Sequence, residues 1–286
     1  MSRQTPLVTT PDGREMRLSL AHPARYSDEH IQTFADLLAD HASASANNGR
    51  RYEVLDLMAG VGGIHALRGY LDVVTYGNEL EAPYVALAKR LWPGCPTEQG
   101  DAAALTFPDN RFDACVWSPD FGGRLADHHQ AKDPCRCRRL TAELDGSLGP
   151  VDPNCKLCKG FGLSMRRSYT FDLRRFTGDH NYQLDQRSSA RFRADQPPYW
   201  EKQQAYVAEA YRVTAPGGFA LVDVKDVVRN KRIMPVIDSY ATVLAAAGWS
   251  VQQRVRVPAP GYRMGENREL RTSAHVVLVC MKPVRP

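Results

Sequence analysis

From residue 51 onward, short apolar runs alternate with stretches whose apolar residues recur every three or four positions. Runs at 54–57, 73–76, 112–117 and 219–224 are bounded by turn residues, which predicts strands buried on both faces. A further short strand is expected at 97–99. Helical spacing fills the intervals: 82–91, 199–211 and 234–247 read as helices, the second stopped by Pro216-Gly217-Gly218 and the third by Gly248. Upstream, Ile31, Phe34, Leu37 and Leu38 share one face of a helix over 28–41, with Ser27 as N-cap and Asp28 and Glu29 in its first turn. Residues 42–51 read as a small-residue polar linker, and 1–20 as an extended arm with a turn at Pro11-Asp12-Gly13. Runs at 251–257 and 274–281 predict two final strands paired across a long loop. Alternating strands and helices predict an α/β fold, a parallel sheet covered on both faces, with an antiparallel pair at one edge. There is no internal repeat.

A chain of 286 residues suffices for one large domain or one domain carrying an insertion. Its N-terminal stretch is polar, and no run approaches the roughly 18 apolar residues of a membrane span. The expectation is a cytoplasmic protein without a membrane partner. Seven cysteines then point to thiols or metal rather than disulfides. The formal net charge is only +5, but it is localised. Residues 122–198 hold 14 Lys/Arg against 9 Asp/Glu, and the rest of the chain holds 23 of each.

The chemistry begins where the run at 54–57 meets glycine: Val54-Leu55-Asp56-Leu57-Met58-Ala59-Gly60-Val61-Gly62-Gly63-Ile64. Glycines let the backbone approach a ligand and adopt positive φ, and a following helix would offer N–H groups and its dipole. Acids stand at three consecutive strand ends. Asp56 closes the first strand, Glu79 follows the second, where it can accept ribose hydroxyls, and Asp101 follows the third after Gly100. In such sheets ligands bind beyond the carboxyl ends of strands. A nucleoside cofactor is expected. NAD fits less well, because Gly60-Val61-Gly62-Gly63 lacks the full G-x-G-x-x-G spacing.

With these residues in place, the sequence resembles the class I S-adenosylmethionine-dependent methyltransferases, over residues 54–121 and 205–281. Asp56 to Gly63, with Met58, Ala59, Gly60 and Gly62, looks like their first cofactor motif, especially that of the nucleic-acid base methyltransferases. Glu79 matches their ribose-binding acid, and Asp101 with Ala102 the position beside the cofactor adenine. The resemblance implies a Rossmann-like seven-stranded sheet with its last strand antiparallel. His22-Pro23-Ala24-Arg25-Tyr26-Ser27 resembles the upstream segment that closes over the cofactor's methionine end.

Ser118-Pro119-Asp120-Phe121 follows the strand at 112–117 and resembles the (Asp/Asn/Ser)-Pro-Pro-aromatic motif of enzymes that methylate exocyclic amines. An aromatic amine is a poor nucleophile because its lone pair is delocalised into the ring. Ser118 and the Pro119 carbonyl would accept its two hydrogens, and Phe121 would stack on the base, so catalysis is positioning and electrostatics. Asp120 replaces the usual second proline. It is either a carboxylate in the site or a solvated loop residue. Cytosine C5 chemistry fits less well: its cysteine belongs in a Pro-Cys directly after this strand, and Pro134-Cys135 comes too late.

Cys135-x-Cys137 and Cys155-x-x-Cys158 are separated by 17 residues, the arrangement of a tetrahedral Cys₄ zinc site, with Cys158-Lys159-Gly160-Phe161-Gly162 as a knuckle turn. His128 or His129 could substitute for one thiol. Cys95, Cys115 and Cys280 read as core residues. Arg136, Arg138, Arg139, Lys156, Lys159, Arg166, Arg167, Arg174 and Arg175 interleave with Phe161, Tyr169, Phe171 and Phe176, a pattern suited to a phosphate backbone and exposed bases. Arg263, Arg268 and Arg271 in the loop 261–272 could add to it.

The expected organisation is an N-terminal arm and helix (1–50), a methyltransferase domain (51–121 and 199–286) and an inserted, basic, zinc-ribbon-like recognition module (122–198). The expected activity is methyl transfer from S-adenosylmethionine to an exocyclic amine of DNA, adenine N6 or cytosine N4, with structural zinc. RNA is the alternative substrate, because Pro119-Asp120-Phe121-Gly122-Gly123-Arg124 also resembles RNA guanine-N2 methyltransferases. A catalytically inactive, zinc-containing nucleic-acid-binding protein is the alternative of another class. Target base, recognition sequence and oligomeric state are not specified by these patterns.

Overall fold

A computed structural model describes residues 7–10, 13–18, 25–122, 137–138, 147, 149–155, 169–179, 181–229, 231–258, 268–270, 272 and 274–284. The chain divides into two compact units: Met1–Pro23 with Arg124–Gln183, and Ala24–Gly123 with Leu184–Pro286.

In the first unit, β1 (Leu7–Thr9) pairs antiparallel with β2 (Glu15–Arg17), placing Val8 opposite Met16 with both buried. The helix later in the chain, Tyr169–Thr177, buries Leu173 and Phe176.

The second unit is built on a seven-stranded sheet. Its helix α1 (Asp28–Asn47) starts at Ser27, whose hydroxyl accepts the His30 N–H. It runs six residues past the expected end at His41, through the stretch read as a linker. Alanine is the best helix former, and Ala42 and Ser45 continue the buried stripe of Ile31, Phe34 and Leu38, so tertiary burial extends the helix. Gly49, at φ +70°, marks its exit. Next come β3 (Tyr52–Asp56), β4 (Val73–Glu79), α2 (Ala82–Leu91), β5 (Thr97–Gln99) and β6 (Phe112–Trp117). With the Tyr169–Thr177 helix counted as α3, the rest is α4 (Pro197–Val213), β7 (Thr214–Val224), β8 (Val227–Arg229), β9 (Arg232–Met234), α5 (Val236–Ala246), β10 (Ser250–Pro258) and β11 (Ala274–Met281).

The strand order is β10-β11-β7-β6-β3-β4-β5. The strands from β7 to β5 are parallel, and β11 runs antiparallel to both β7 and β10. This is the Rossmann-like sheet expected, with its last strand reversed. From β3 the chain winds outward to β4 and β5, then returns to β6 and β7. The order therefore switches between β3 and β6, where such sheets place their ligands.

Alternation along the strands fills two cores. Leu55, Cys115, Trp117, Val222 and Leu278 pack with Tyr206 and Val207 of α4 and Tyr240 and Leu244 of α5. Val54, Val116, Leu221, Val277 and Val279 pack on the other face with Phe34 and Leu38 of α1. Cys115 and Cys280 are core residues, as expected, and burial pushes both thiols up to about 12. Among the described residues no helix is long and apolar enough to cross a membrane.

Candidate active site

The glycine turn leaves β3 differently from the expectation. Residues Gly63–Gly69 form a short 3-10 helix rather than an α-helix. Ile64 and Leu67, three apart, fall on one edge of this tighter helix and are both fully buried. At about two turns, a helix this short carries little dipole, and the turn before it is set by its backbone path. Gly60 and Gly62 have φ of +53° and +80°. A Cβ on Gly62 would lie 2.8 Å from Trp92 Cδ1 and 2.9 Å from His65 Cδ2. Gly62→Ala therefore combines left-handed strain with overpacking, and is expected to cost about 2–4 kcal/mol. A lowered midpoint in chemical denaturation is the measurement; an unchanged midpoint would contradict the packing described here.

The acids gather as the strand ends require. Asp56 is fully buried; its Oδ1 accepts the Met58 N–H at 2.9 Å. Its Oδ2 has no partner of hydrogen-bonding geometry, although the Tyr26 hydroxyl beside it lowers the pKa. Glu79, the last residue of β4, accepts the Gly60 N–H at 2.9 Å and the Glu81 N–H at 2.8 Å, one on each oxygen. It thereby ties the glycine turn to the neighbouring strand. Burial pushes both carboxyls up to about 7, against the N–H groups that favour their charged forms. Asp101 accepts the Ala103 N–H at 2.9 Å, and Ala102 is buried beside it. Asn78, which the strand pattern did not single out, donates to the carbonyls of Leu57 at 3.0 Å and Gly100 at 3.2 Å. It pins the ends of three strands together.

The raised pKa values give a sign for pH dependence. Between the unfolded carboxylate range and about pH 7, the folded state keeps protons on Asp56 and Glu79 that the unfolded chain has lost. Stability then falls as pH rises through that window. The urea midpoint should be lower at about pH 8 than at about pH 5, and the drop should shrink in Glu79→Gln. An identical drop in that variant would remove Glu79 as its source.

Ser118 and Pro119 leave β6 beside this turn. The Ser118 hydroxyl donates to Asp223 Oδ2 at 3.1 Å. Asp120 is buried rather than solvated, which excludes the loop-residue reading. Its carboxylate accepts the Ser189 hydroxyl and, at 3.1 Å, the Gly122 N–H, while its carbonyl accepts the Tyr199 hydroxyl at 2.6 Å. Burial pushes the carboxyl up to about 6, against those hydrogen bonds. Gly122, at φ +60°, lets the chain pass Ala194, whose backbone N would clash with an added Cβ. Phe121 is half-buried, with its ring edge-on to His275 at 5.4 Å. Tyr26 packs 3.5 Å from where a Cβ on Gly63 would stand. The upstream segment thus reaches the glycine turn; His22, Pro23 and Ala24 lie outside the described residues.

Behind Ser118 is a group that sequence reasoning missed. Asp223, near the end of β7, is buried between His275 at the start of β11 and His30 in the first turn of α1. Burial alone would raise its carboxyl, but His275 and His30 hold it below the usual carboxylate range. The signals were faint: an acid inside the apolar run Phe219–Val224, and a histidine on the buried stripe of an amphipathic helix.

Of the four proposed zinc ligands, Cys137 and Cys155 are described, and they pack together. One thiol from each cysteine pair is therefore in the same cluster. Cys135 and Cys158, and the histidines His128 and His129, lie outside the described residues. A separate cleft of about 550 Å³, lined by Arg51, Arg68, Tyr70 and Pro96 among others, sits at the amino ends of β3 and β4 and holds none of the acids above.

No family model matches this chain, and no curated protein matches it. Among solved structures it is similar to a chain of the complex between the Haloferax volcanii Trm112 methyltransferase activator and a putative methyltransferase. The identity is 13%, with 90% of this chain and 97% of that chain covered at a TM-score of 0.46. It is also similar to a putative methyltransferase from Bacillus halodurans, at 14% identity over 87% of this chain and 99% of that one, TM-score 0.45. An S-adenosylmethionine-dependent methyltransferase from Methanosarcina mazei aligns at 10% identity over 82% and 94%, TM-score 0.45. The functional reading rests on the site itself.

Proposed function

We propose that this chain transfers a methyl group from S-adenosylmethionine to an exocyclic amine of a nucleic-acid base, in DNA at adenine N6 or cytosine N4. The observation that carries the proposal is the hydrogen bond from Ser118 to Asp223. With its own proton committed there, the serine oxygen is left as an acceptor. It stands at the end of β6, at the switch in strand order and three residues before Phe121.

The cofactor fits the donor set present. Asp56 and Glu79 offer buried carboxylate oxygens to hydroxyls or a cationic group, and Gly60 and Gly62 leave the backbone bare of side chains. Asp101 and Ala102 would flank the adenine. When bound, the cofactor supplies an electrophilic methyl on a sulfonium. The rest is done by the chain. Ser118 Oγ and the Pro119 carbonyl accept the two amine hydrogens, which draws the nitrogen toward sp³ and frees its lone pair. Phe121 holds the ring plane, and a base in duplex must first be flipped out to reach it. The buried Asp120, bonded to Ser189, Gly122 and Tyr199, fixes the turn that carries all three. The basic, aromatic segment with its zinc-type cysteines is the proposed grip on the polymer.

Incubation with labelled S-adenosylmethionine and duplex DNA, RNA or no polymer tests the reading, with mass spectrometry of the product nucleosides. Label in N6-methyladenine or N4-methylcytosine is expected. Label confined to RNA guanine would favour the RNA alternative. Polymer binding without transfer would leave a zinc-containing binding protein.

A further inference from the structure

The group behind Ser118 has more to it than a buried acid with two neighbours. Among the described residues, His30, Asp223 and His275 are the only set of three or more potential metal ligands within reach of one ion, and their donor atoms all lie within 4.8 Å of one another. They come from three elements, α1, β7 and β11, all within the same compact unit. His30 is 4% exposed and Asp223 2% exposed, so solvent does not satisfy them.

The hydrogen bonding is that of a ligand set. His30 Nδ1 lies 2.8 Å from Ser27 Oγ, while His30 Nε2 is buried and has no hydrogen-bond partner. It stands 3.5 Å from Asp223 Oδ2, at ion-pair rather than hydrogen-bond distance. With the proton on Nε2, His30 attracts Asp223 directly; with the proton on Nδ1, donating to Ser27, Nε2 instead turns a buried lone pair toward the carboxylate, and this is the tautomer that could share an ion with it. A ligating histidine commonly has its second nitrogen held by an outer partner, and a ligating carboxylate is itself hydrogen-bonded. Ser27 does the first, and Ser118, donating at 3.1 Å, does the second. His275 Nδ1 is 2.9 Å from Asp223 Oδ2.

The spacing suits a small divalent ion. Tetrahedral zinc with legs of about 2.0–2.1 Å puts its ligands roughly 3.3 Å apart. The two distances to Asp223 Oδ2, 2.9 and 3.5 Å, bracket that figure, and the two histidine nitrogens lie within 4.8 Å of each other. Two imidazole nitrogens and one carboxylate favour a first-row divalent cation over calcium or magnesium, and three protein ligands leave a fourth position open.

From this geometry we infer that His30, Asp223 and His275 bind one divalent transition-metal ion, Zn²⁺ foremost, beside Ser118. The ion ties the first turn of α1 to the carboxyl end of β7 and the start of β11. It holds the Asp223 carboxylate that receives the Ser118 proton. This site is distinct from the cysteine pairs and does not depend on the methyl-transfer reading.

Cobalt substitution of the chelator-stripped, full-length protein tests it. Co²⁺ held by nitrogen and oxygen gives weak visible bands with no thiolate-to-cobalt charge-transfer band, so it is told apart from Co²⁺ on cysteine. The expected result is both signatures, or the nitrogen/oxygen one alone. The His30→Gln/His275→Gln double variant should lose the nitrogen/oxygen signature and bind one Zn²⁺ fewer than the wild type. A thiolate-only spectrum in the wild type, or a nitrogen/oxygen spectrum that persists in the folded double variant, overturns the site. Should the double variant fail to fold by circular dichroism, X-ray absorption of the zinc-loaded wild type decides. A shell containing two imidazoles and an oxygen supports the proposal, and a shell of sulfur alone rejects it. Calorimetric binding of S-adenosylmethionine, run alongside, reports on the methyltransferase reading separately.

Discussion

Ser118→Ala should lower kcat for methyl transfer by about 10²–10³-fold while leaving S-adenosylmethionine affinity nearly unchanged. The hydroxyl lies at the end of β6 with its proton on Asp223, so in the proposed reaction it accepts a hydrogen bond from the amine, and it is not among the acids of the glycine turn. Its loss removes one preorganised acceptor from the transition state and leaves ground-state binding of the cofactor alone. Phe121→Ala should behave differently, raising KM for the polymer along with lowering kcat, if the ring is the stacking surface proposed for the base. Single-turnover rates with saturating cofactor separate the two. Normal turnover in Ser118→Ala would remove this serine from the mechanism.

Glu79→Ala should raise the Kd for S-adenosylmethionine by about 100-fold or more. On the proposed cofactor binding, two charge-assisted hydrogen bonds to ribose hydroxyls, at about 1.5 kcal/mol each, would account for about 3 kcal/mol, and tenfold in Kd corresponds to about 1.4 kcal/mol. The variant loses more than those bonds, because Glu79 also receives the N–H groups of Gly60 and Glu81 and so shapes the turn before any ligand arrives. Glu79→Gln keeps one acceptor oxygen and should fall between wild type and Glu79→Ala. Isothermal calorimetry at a pH above about 7, where the carboxyl is ionised, is the measurement. An unchanged Kd in Glu79→Ala would mean that the cofactor, if bound, lies elsewhere.

The sheet was legible because buried parallel strands leave uninterrupted apolar runs. The run at 112–117 coincides with β6, the short polar strand expected at 97–99 is β5, and the last two strands pair across a loop as their spacing implied. The acids were equally plain: Asp56, Glu79 and Asp101 stand at or just after the ends of three consecutive expected strands. What the pattern could not carry was tertiary context. Residues 42–47 look like a linker by composition and become helix because Ala42 and Ser45 find a surface to bury against. Residues 63–69 look like the start of an α-helix and become a tighter turn, their apolar residues three apart. Asp120 reads as a loop charge until Ser189 and Tyr199, some seventy residues away in sequence, are folded onto it. His30 is separated from Asp223 and His275 by most of the chain, and no local periodicity announces a cluster that exists only once α1, β7 and β11 are packed.

The reversed position of β11 has a consequence for the order of events during synthesis. β7 is the last parallel strand, and its outer edge is covered only by β11, whereas β10, which leaves the ribosome first, can join the sheet only through β11. At a synthesis rate of about 5–20 residues per second, the edge of β7 stays open for several seconds while residues 225–273 are made. An open edge next to an apolar core is a template for pairing with another chain. The nascent protein is therefore most prone to aggregate in that interval, and His275, entering on β11, reaches Asp223 only as the interval closes.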